Sequence, residues 1–250
     1  MRKQLLFETI AFDSHTFSAG STIPAGASIR YFDRYDDLED DNVTKEDEEA
    51  IVKWLLGSAA NDLLFRVLGV SQDSFVACSV KQPVVEDPQK KPGDIDILIC
   101  PEHRADRAIA LQCKAVKVVA FNQEEDDVSK LPDIRGAVLQ ANKQRKNFGF
   151  HRNYLAIIVK ADGRKRTHSN TIFRVPNQDT MKLLYEFPQR ESLHSDVGIL
   201  FIDISQPTGK SYDRMAVVGI CHDEQAAVLD QSPNLTNRIK ELMRQRRIIE

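Results

Sequence analysis

Two kinds of hydrophobic periodicity divide the chain into predicted strands and helices. Short apolar runs and two-residue alternation predict strands at DSFVACSVKQPVV, DIDILIC, AIALQCKAVKVVA, YLAIIVKADG, VGILFIDIS and RMAVVGIC. Helical spacing of apolar residues predicts helices at TKEDEEAIVKWLL, SAANDLLFRVLG, DIRGAVLQANKQRKNFG, DTMKLLYEF and SPNLTNRIKELMRQRR. Both patterns recur along the chain, so we expect helices and strands to share one hydrophobic core.

The order of these elements predicts an α/β fold with a central mixed sheet flanked by helices. Residues 44–162 run in the order helix, three strands, helix, strand. The second and third of these strands are joined by the short turn PEHRADR, which favours an antiparallel hairpin. No linker or repeat separates the parts of the chain. We therefore expect residues 1–43 to form a strand-and-loop extension, and residues 163–250 to complete the same domain with further strands and helices.

Composition narrows the class of protein. Of the 250 residues, 42% are hydrophobic and 28% are charged, which is typical of a soluble globular domain. No apolar run is long enough to span a bilayer, and acidic residues come too early for a secretory signal. The four cysteines are scattered, which indicates reduced thiols rather than a disulfide framework. We expect a cytoplasmic protein without a membrane partner.

Charge is distributed unevenly, although the net charge is only -3. Acidic residues concentrate in Asp33–Glu49, and basic residues concentrate in Asn142–Arg152, Gly163–His168 and Arg238–Arg247. Such basic segments either bind a polyanion locally or are ordinary solvated faces. Charge alone leaves both alternatives open.

Two aspartates interrupt an otherwise apolar strand in GDIDILI. Because side chains alternate across a strand, Asp94 and Asp96 share one face, and Gln112 and Lys114 share a face of the next strand. Carboxylate and amide oxygens suit Mg²⁺, and a lysine beside them can hold a water and offset charge on a scissile phosphate. If the hairpin joins these faces, the pattern predicts a metal-dependent phosphodiesterase site. The alternative is an ordinary cross-strand pair of Asp96 and Lys114 on an exposed face.

GDIDILI, LQCKAV and the order of elements together resemble the PD-(D/E)XK nuclease superfamily, which has a restriction-endonuclease-like fold. The Q-x-K form resembles its Mrr-like branch, and the resemblance covers about residues 44 to 160. It implies that Asp96 is the metal carboxylate, Gln112 the second ligand and Lys114 the catalytic lysine. It also implies that the backbone carbonyl of Cys113 completes the protein ligands and that the cofactor is Mg²⁺ or Mn²⁺. Because glutamine lacks the charge of glutamate, metal binding would be weaker unless another acid helps.

Four further residues are candidates for accessory roles at the site, each with an alternative. Relatives often take a further acid from the first helix, and here Asp62 and Glu49 are the candidates, although either position also suits a surface residue. Asp94 is a further metal ligand, a partner for Lys114, or simply the first residue of its strand. Gln140 lies on the helix after the site, where it either borders the site or faces solvent.

Basic residues near the predicted site are candidates for contacts with nucleic-acid phosphates, which position a backbone without reading its sequence. They belong to the basic end of the helix after the site and to the following loop. The residues are Lys143, Arg145, Lys146, Arg164, Lys165 and Arg166.

Three hypotheses for function remain after these observations. The first is a magnesium-dependent DNA endonuclease, with a role in restriction or anti-phage defence by family analogy. The second is an inactive module with the nuclease fold that binds nucleic acid or docks on an ATPase or helicase partner. The third is a structural subunit whose basic faces contact protein. The sequence leaves open whether the chain forms a homo-oligomer.

Overall fold

The computed structural model describes residues 10–12, 27–32, 47–57, 61–85, 94–120, 126–129, 131–162, 178–206 and 216–247. Within these ranges lie nine strands, namely β1 (Ile10–Phe12), β2 (Ala27–Phe32), β3 (Phe75–Val80), β4 (Ile95–Cys100), β5 (Ile109–Ala120), β6 (Asp126–Ser129), β7 (Arg152–Asp162), β8 (Val197–Gln206) and β9 (Ala216–Glu224). The same ranges contain five α-helices, namely α1 (Glu48–Gly57), α2 (Asn61–Leu68), α3 (Leu131–Phe148), α4 (Gln178–Arg190) and α5 (Pro233–Arg247).

The described strands form one mixed sheet in the order β1-β2-β9-β8-β7-β5-β4-β3, with β6 paired to β5 beside β4. The pairs β5–β7 and β7–β8 are parallel, and the other pairs are antiparallel. The predicted α/β class with a mixed sheet flanked by helices is therefore confirmed. The predicted antiparallel hairpin of β4 and β5 is also confirmed.

The central strands are apolar on both faces because helices cover both sides of the sheet. In β7, Leu155 and Ile157 pack into one hydrophobic cluster, whereas Ala156 and Ile158 pack into another on the opposite face. This explains why the sequence of β7 is a continuous apolar run rather than an alternation of apolar and polar residues.

The helices divide between the two faces of the sheet. Helices α1 and α2 pack on the face that carries Ile97 and Leu111. On the opposite face, α3 and α4 cover Val116 and its neighbours in β7 and β8, while α5 covers Leu98 and Ala110 in β4 and β5. Gln112 belongs to the face beneath α3 and α5, because it shares strand parity with Ala110 and contacts Gln144 of α3. Asp96 lies at the edge of β4, where its carboxylate contacts the backbone of β5.

Two helix ends have clear causes in the sequence. Helix α1 begins after Asp47, whose Oδ1 accepts the backbone N–H of Ala50 at 2.8 Å and caps the first turn. The sequence also offers Thr44 as the cap, but that residue lies outside the described ranges. Helix α3 ends at Phe148 because Gly149 adopts a left-handed conformation with φ of 60°.

Strand β6 is a described element between residues 44 and 162 that the hydrophobic pattern does not predict. Its sequence, DDVS, has a single apolar residue, and the strand exists because it pairs with the end of β5 from Lys117 to Ala120. The three cysteines whose side chains are described, Cys78, Cys100 and Cys113, are unbridged, as predicted. No helix in the described ranges is long and apolar enough to cross a membrane.

Candidate active site

The candidate site lies where a polar interval separates two hydrophobic clusters on one face of β5. Ala110 packs under α5 and Val116 packs under α3 and α4. Between them, with the same strand parity, stand Gln112 and Lys114. The polar interval coincides with a break in the sheet, because β4 pairs with β5 only as far as Leu111.

At this break, the carboxylate of Asp96 takes the place of a strand partner for β5. The β4–β5 register pairs Ile97 with Leu111, so the next positions along it are Asp96 and Gln112. Asp96 Oδ2 accepts the backbone N–H of Cys113 at 2.7 Å and also accepts a hydrogen bond from Gln112 Nε2. The structure thus brings Asp96, Gln112 and the main chain of Cys113 together.

A buried chain of amides fixes the orientation of Gln112. Its Oε1 accepts a hydrogen bond from Gln144 Nε2 at 2.8 Å, and the same Gln144 nitrogen donates to the carbonyl oxygen of Asp94 at 2.9 Å. Gln112 is 5% exposed and Gln144 is 2% exposed. Because buried amides need partners for both of their ends, this arrangement holds the Gln112 nitrogen toward Asp96.

Gln144 is a site residue that the sequence pattern did not indicate. The predicted residue, Gln140, lies one helical turn earlier and makes only a long contact of 3.4 Å between its Nε2 and the Asp94 carbonyl. Residues four apart share a face of a helix, so the position of Gln140 already pointed to Gln144. Gln140 borders the site, while Gln144 contacts the residues that form it.

Helix α1 contributes an acid to the site through its first residue, Glu48. Its Oε2 accepts the backbone N–H of Ala115 at 2.5 Å and lies 3.5 Å from the Nζ of Lys114. Lys114 is 24% exposed, so this ion pair is only partly open to solvent. The partner of Lys114 is therefore Glu48 rather than Asp94.

Of the two predicted acids of the helical region, Glu49 does not reach this site, and the side chain of Asp62 is not described. Glu49 forms an ion pair with Lys53, with 2.7 Å between Oε1 and Nζ, and its side chain is 63% exposed. Asp62 belongs to α2, and its side chain lies outside the described part of the chain. Glu48 and Glu49 differ by about 100° around the helix axis, so only one of them can face β5.

Asp94 has its own lysine partner at the surface. Its Oδ2 lies 3.2 Å from the Nζ of Lys81, which follows β3 in the sequence. Asp94 is therefore a strand-entry position, as one alternative held, with its carbonyl bound by Gln144 and its carboxylate bound by Lys81.

Negative charge at the site is only partly compensated. Burial raises the pKa of Asp96 to about 6, and the neighbouring carboxylates of Glu48 and Asp94 also raise it. The hydrogen bond from Cys113 N–H and the charge of Lys114 act in the opposite direction. A carboxylate whose charged form is destabilised in this way has a reason to bind a cation.

The oxygen donors fit a hard cation if Glu48 replaces Gln112 as a ligand. The N–H of Cys113 binds Asp96, and the N–H of Ala115 binds Glu48. Because the N–H and C=O of one strand residue point to the same strand edge, the carbonyl of Cys113 lies between these two N–H groups. Two carboxylates and one carbonyl along this edge are ligands of the kind that Mg²⁺ binds. Within the described part of the chain, no three His, Cys, Asp or Glu side chains form a metal-binding group. The fit therefore depends on the main-chain carbonyl.

Gln112 in its present orientation offers a nitrogen, not an oxygen, to the site. Turning its amide would place its nitrogen against the nitrogen of Gln144, which would then also have to turn. A turned Gln144 would direct its oxygen at the Asp94 carbonyl and lose a buried hydrogen bond. The ligand role that the resemblance implied for Gln112 thus conflicts with the hydrogen bonds of Gln144.

The predicted phosphate contacts differ in availability. Lys143 and Lys146 are exposed on α3. Arg145 instead donates to Asp196, with 2.9 Å between Nε and Oδ2, so its charge is already paired within the fold. The loop with Arg164, Lys165 and Arg166 lies outside the described ranges.

No family model matches the chain, and no curated protein or solved structure matches it either. Support for a function therefore comes from the geometry of the candidate site alone.

Proposed function

We propose that the chain is a metal-dependent nuclease of the PD-(D/E)XK type that hydrolyses phosphodiester bonds in DNA. The observation that carries the proposal is the convergence of Asp96, Glu48 and the Cys113 carbonyl on one break in the sheet, with Lys114 beside them. Phosphodiester hydrolysis requires an activated water and stabilisation of the charge that develops on the phosphate. Two carboxylates that can hold a cation, with a lysine beside them, can supply both.

The element order supports a restriction-endonuclease-like core as part of this proposal. Helix α1 precedes the antiparallel strands β3, β4 and β5, and α3 then leads to β7, which is parallel to β5. With α2 and β6 as additions, this is the order of helix, three strands, helix and strand that the resemblance implies. The candidate residues lie on β4, on β5 and at the start of α1, within this core.

In the proposed mechanism, Asp96, Glu48 and the Cys113 carbonyl hold a divalent cation, Mg²⁺ or Mn²⁺. When bound, the cation supplies Lewis acidity toward the phosphate and lowers the pKa of a water. Lys114 orients the attacking water and offsets negative charge as it grows on the phosphate. Glu48, which pairs with Lys114, would serve as a ligand of the cation, and the ammonium group of Lys114 would then be available for that role.

A second candidate function is supported by the orientation of Gln112. Its amide nitrogen donates to Asp96, where a glutamate at this position would have offered a second charged oxygen. A site held closed by such hydrogen bonds suits an inactive nuclease-like module that binds nucleic acid or docks on an ATPase or helicase. We rank it second because Glu48 supplies the acid that Gln112 lacks.

The decisive experiment compares cleavage and binding by the purified chain. Plasmid, linear duplex and single-stranded DNA are incubated with Mg²⁺, with Mn²⁺ or with EDTA, and the parent is compared with Asp96→Asn and Lys114→Ala. We expect metal-dependent cleavage by the parent only, with DNA binding kept by both variants. DNA binding without cleavage under every condition would favour the second candidate. Cleavage that persists in Asp96→Asn would overturn the proposed site.

A further inference from the structure

A row of polar residues crosses three antiparallel strands at the candidate site. The β3–β4 register pairs Val80 with Ile95, so the positions beside them are Ser79 and Asp96. Asp96 in turn contacts Gln112 on β5. Because Ser79 lies opposite Asp96 in this register, the row extends the site onto β3.

A second row lies next to the first and carries lysines at both ends. Lys81 and Asp94 are the next opposed positions along the β3–β4 register, and their ion pair at 3.2 Å is the contact expected from it. Continuing the β4–β5 register opposes Asp94 to Lys114. The backbones of the outer strands are two strand spacings apart, about 9.6 Å. The two lysines therefore flank Asp94 from the strands on either side of β4.

The backbone of β3 is distorted at Ser79, close to Lys81 in the sequence. Ser79 is exposed and has φ of 48°, a left-handed conformation that is rare for a residue with a side chain. The β3–β4 pairing omits Ser79 and Asp96, although the residues on both sides of them pair in register. A strained serine at an interrupted pairing beside Asp96 is the kind of feature that concentrates at binding sites.

We propose that Lys81 and Ser79 form a second phosphate subsite, which binds the phosphate next to the scissile one on the same nucleic-acid strand. This inference rests on the proposed function. The ion pair of Lys81 and Asp94 is exposed, so a phosphate can replace the carboxylate as the partner of Lys81 at little cost. The Asp94 backbone stays fixed during this exchange because Gln144 binds its carbonyl. The Ser79 hydroxyl supplies a further donor to the bound phosphate.

The test measures DNA affinity against salt concentration for the full chain, with a duplex oligonucleotide in EDTA so that no cleavage occurs. Lys81→Gln should reduce the slope of log affinity against log salt by about 0.9. Relative to the parent, the variant therefore loses about eightfold more affinity at 0.1 M salt than it does at 1 M salt. Lys81→Arg should keep the parental slope. The matched control is Lys182→Gln on α4. The two lysines are alike, because Lys182 is 71% exposed and pairs with Glu186, and Lys81 is 69% exposed and pairs with Asp94.

Removing the serine hydroxyl gives a second variant that keeps the charge. Ser79→Ala should weaken binding about threefold without changing the salt slope, because a neutral hydrogen bond releases no counterion. If Lys81→Gln and Lys182→Gln both keep the parental slope, the subsite is absent, and cleavage by the parent would leave the proposed function intact. If the parent binds no DNA at any salt concentration, both proposals fail together.

Discussion

At Asp96, burial and hydrogen bonding act in opposite directions on one carboxylate. Burial raises the pKa of Asp96, and the N–H of Cys113 opposes the rise without cancelling it. The ionised carboxylate is therefore a source of instability in the absence of a cation. Active sites commonly store such unfavourable interactions because the substrate or cofactor relieves them.

We predict that Asp96→Asn stabilises the fold at pH 7.5 by about 1–3 kcal/mol. The pKa of about 6 in the folded chain lies above the ordinary aspartate pKa of 3.8, so the folded chain binds the proton more tightly than the unfolded chain. The cost of ionised Asp96 is fully present above pH 6, and it disappears as the pH falls toward 4. Urea unfolding of the parent and the variant at pH 4 and pH 7.5 measures this difference. Equal stability of the two proteins at pH 7.5 would contradict it.

Replacing Gln112 by glutamate tests whether the site binds metal. Gln112→Glu should tighten Mg²⁺ binding by about tenfold or more, because it adds a charged oxygen that Gln144 can still bind through its nitrogen. Without metal the variant should be less stable than the parent, because two carboxylates would then stand together in a largely buried place. Isothermal titration with Mg²⁺ compares the two proteins. Undetectable binding by both would favour the inactive module.

At the scale of elements, the first turn of α1 determines which acid reaches the sheet. The cap at Asp47 makes Glu48 the first helical residue and directs it to the N–H of Ala115. Glu49 then points to Lys53 at the surface. Glu48 and Glu49 are consecutive in α1 and therefore point about 100° apart around its axis. This difference places Glu48 in the candidate site and Glu49 at the surface.

This pair of neighbours supplies a matched prediction. Glu48→Gln should reduce metal-dependent cleavage at least about a hundredfold, because it removes a charged ligand and the partner of Lys114. Glu49→Gln should leave cleavage unchanged and alter stability by less than about 1 kcal/mol, because its ion pair is exposed. Single-turnover cleavage at saturating Mg²⁺ compares the variants. Equal loss of cleavage in both would show that the acid acts through general charge and not through its position.

The sequence predicted the parts of the site that depend on local periodicity. Asp96 and Gln112 could be placed on facing strands because strand parity and a short hairpin are local properties. Glu48 and Gln144 could not be identified, because their roles depend on how α1 and α3 lie against the sheet. Strand β6 was missed for the same reason, since pairing with β5 rather than its own pattern makes it a strand.

For the whole molecule, the distribution of charge matters more than the net charge of -3. Several basic residues are held within the fold. Arg145 pairs with Asp196, Arg238 donates to the carbonyl of Val84, and Arg246 donates to the carbonyl of Cys78. Counting basic residues in a segment therefore overstates the charge that is free to meet a polyanion. The exposed lysines of α3, Lys143 and Lys146, are better candidates for phosphate contacts than Arg145.

The last prediction separates DNA binding from chemistry by using these lysines. Replacing Lys143 and Lys146 together by glutamine should reduce the slope of log affinity against log salt by about 1.8, because two phosphate contacts are lost. Cleavage at saturating DNA should change little. Lys114→Ala should do the reverse, because its charge acts where negative charge develops in the transition state. Arg145→Gln should chiefly lower stability, because it removes the guanidinium group that pairs with the partly buried Asp196.

Filter binding across salt concentrations and single-turnover cleavage in Mg²⁺ measure the two properties on the same preparations, and thermal unfolding verifies the fold of each variant. A parental cleavage rate in Lys114→Ala would remove this residue from the chemistry. An unchanged salt slope in the Lys143 and Lys146 double variant would remove this face of α3 from the path of the nucleic acid. Because Lys114 is partly buried beside Glu48 and the two lysines are exposed on α3, the three variants distinguish the interior of the site from the exposed surface of α3.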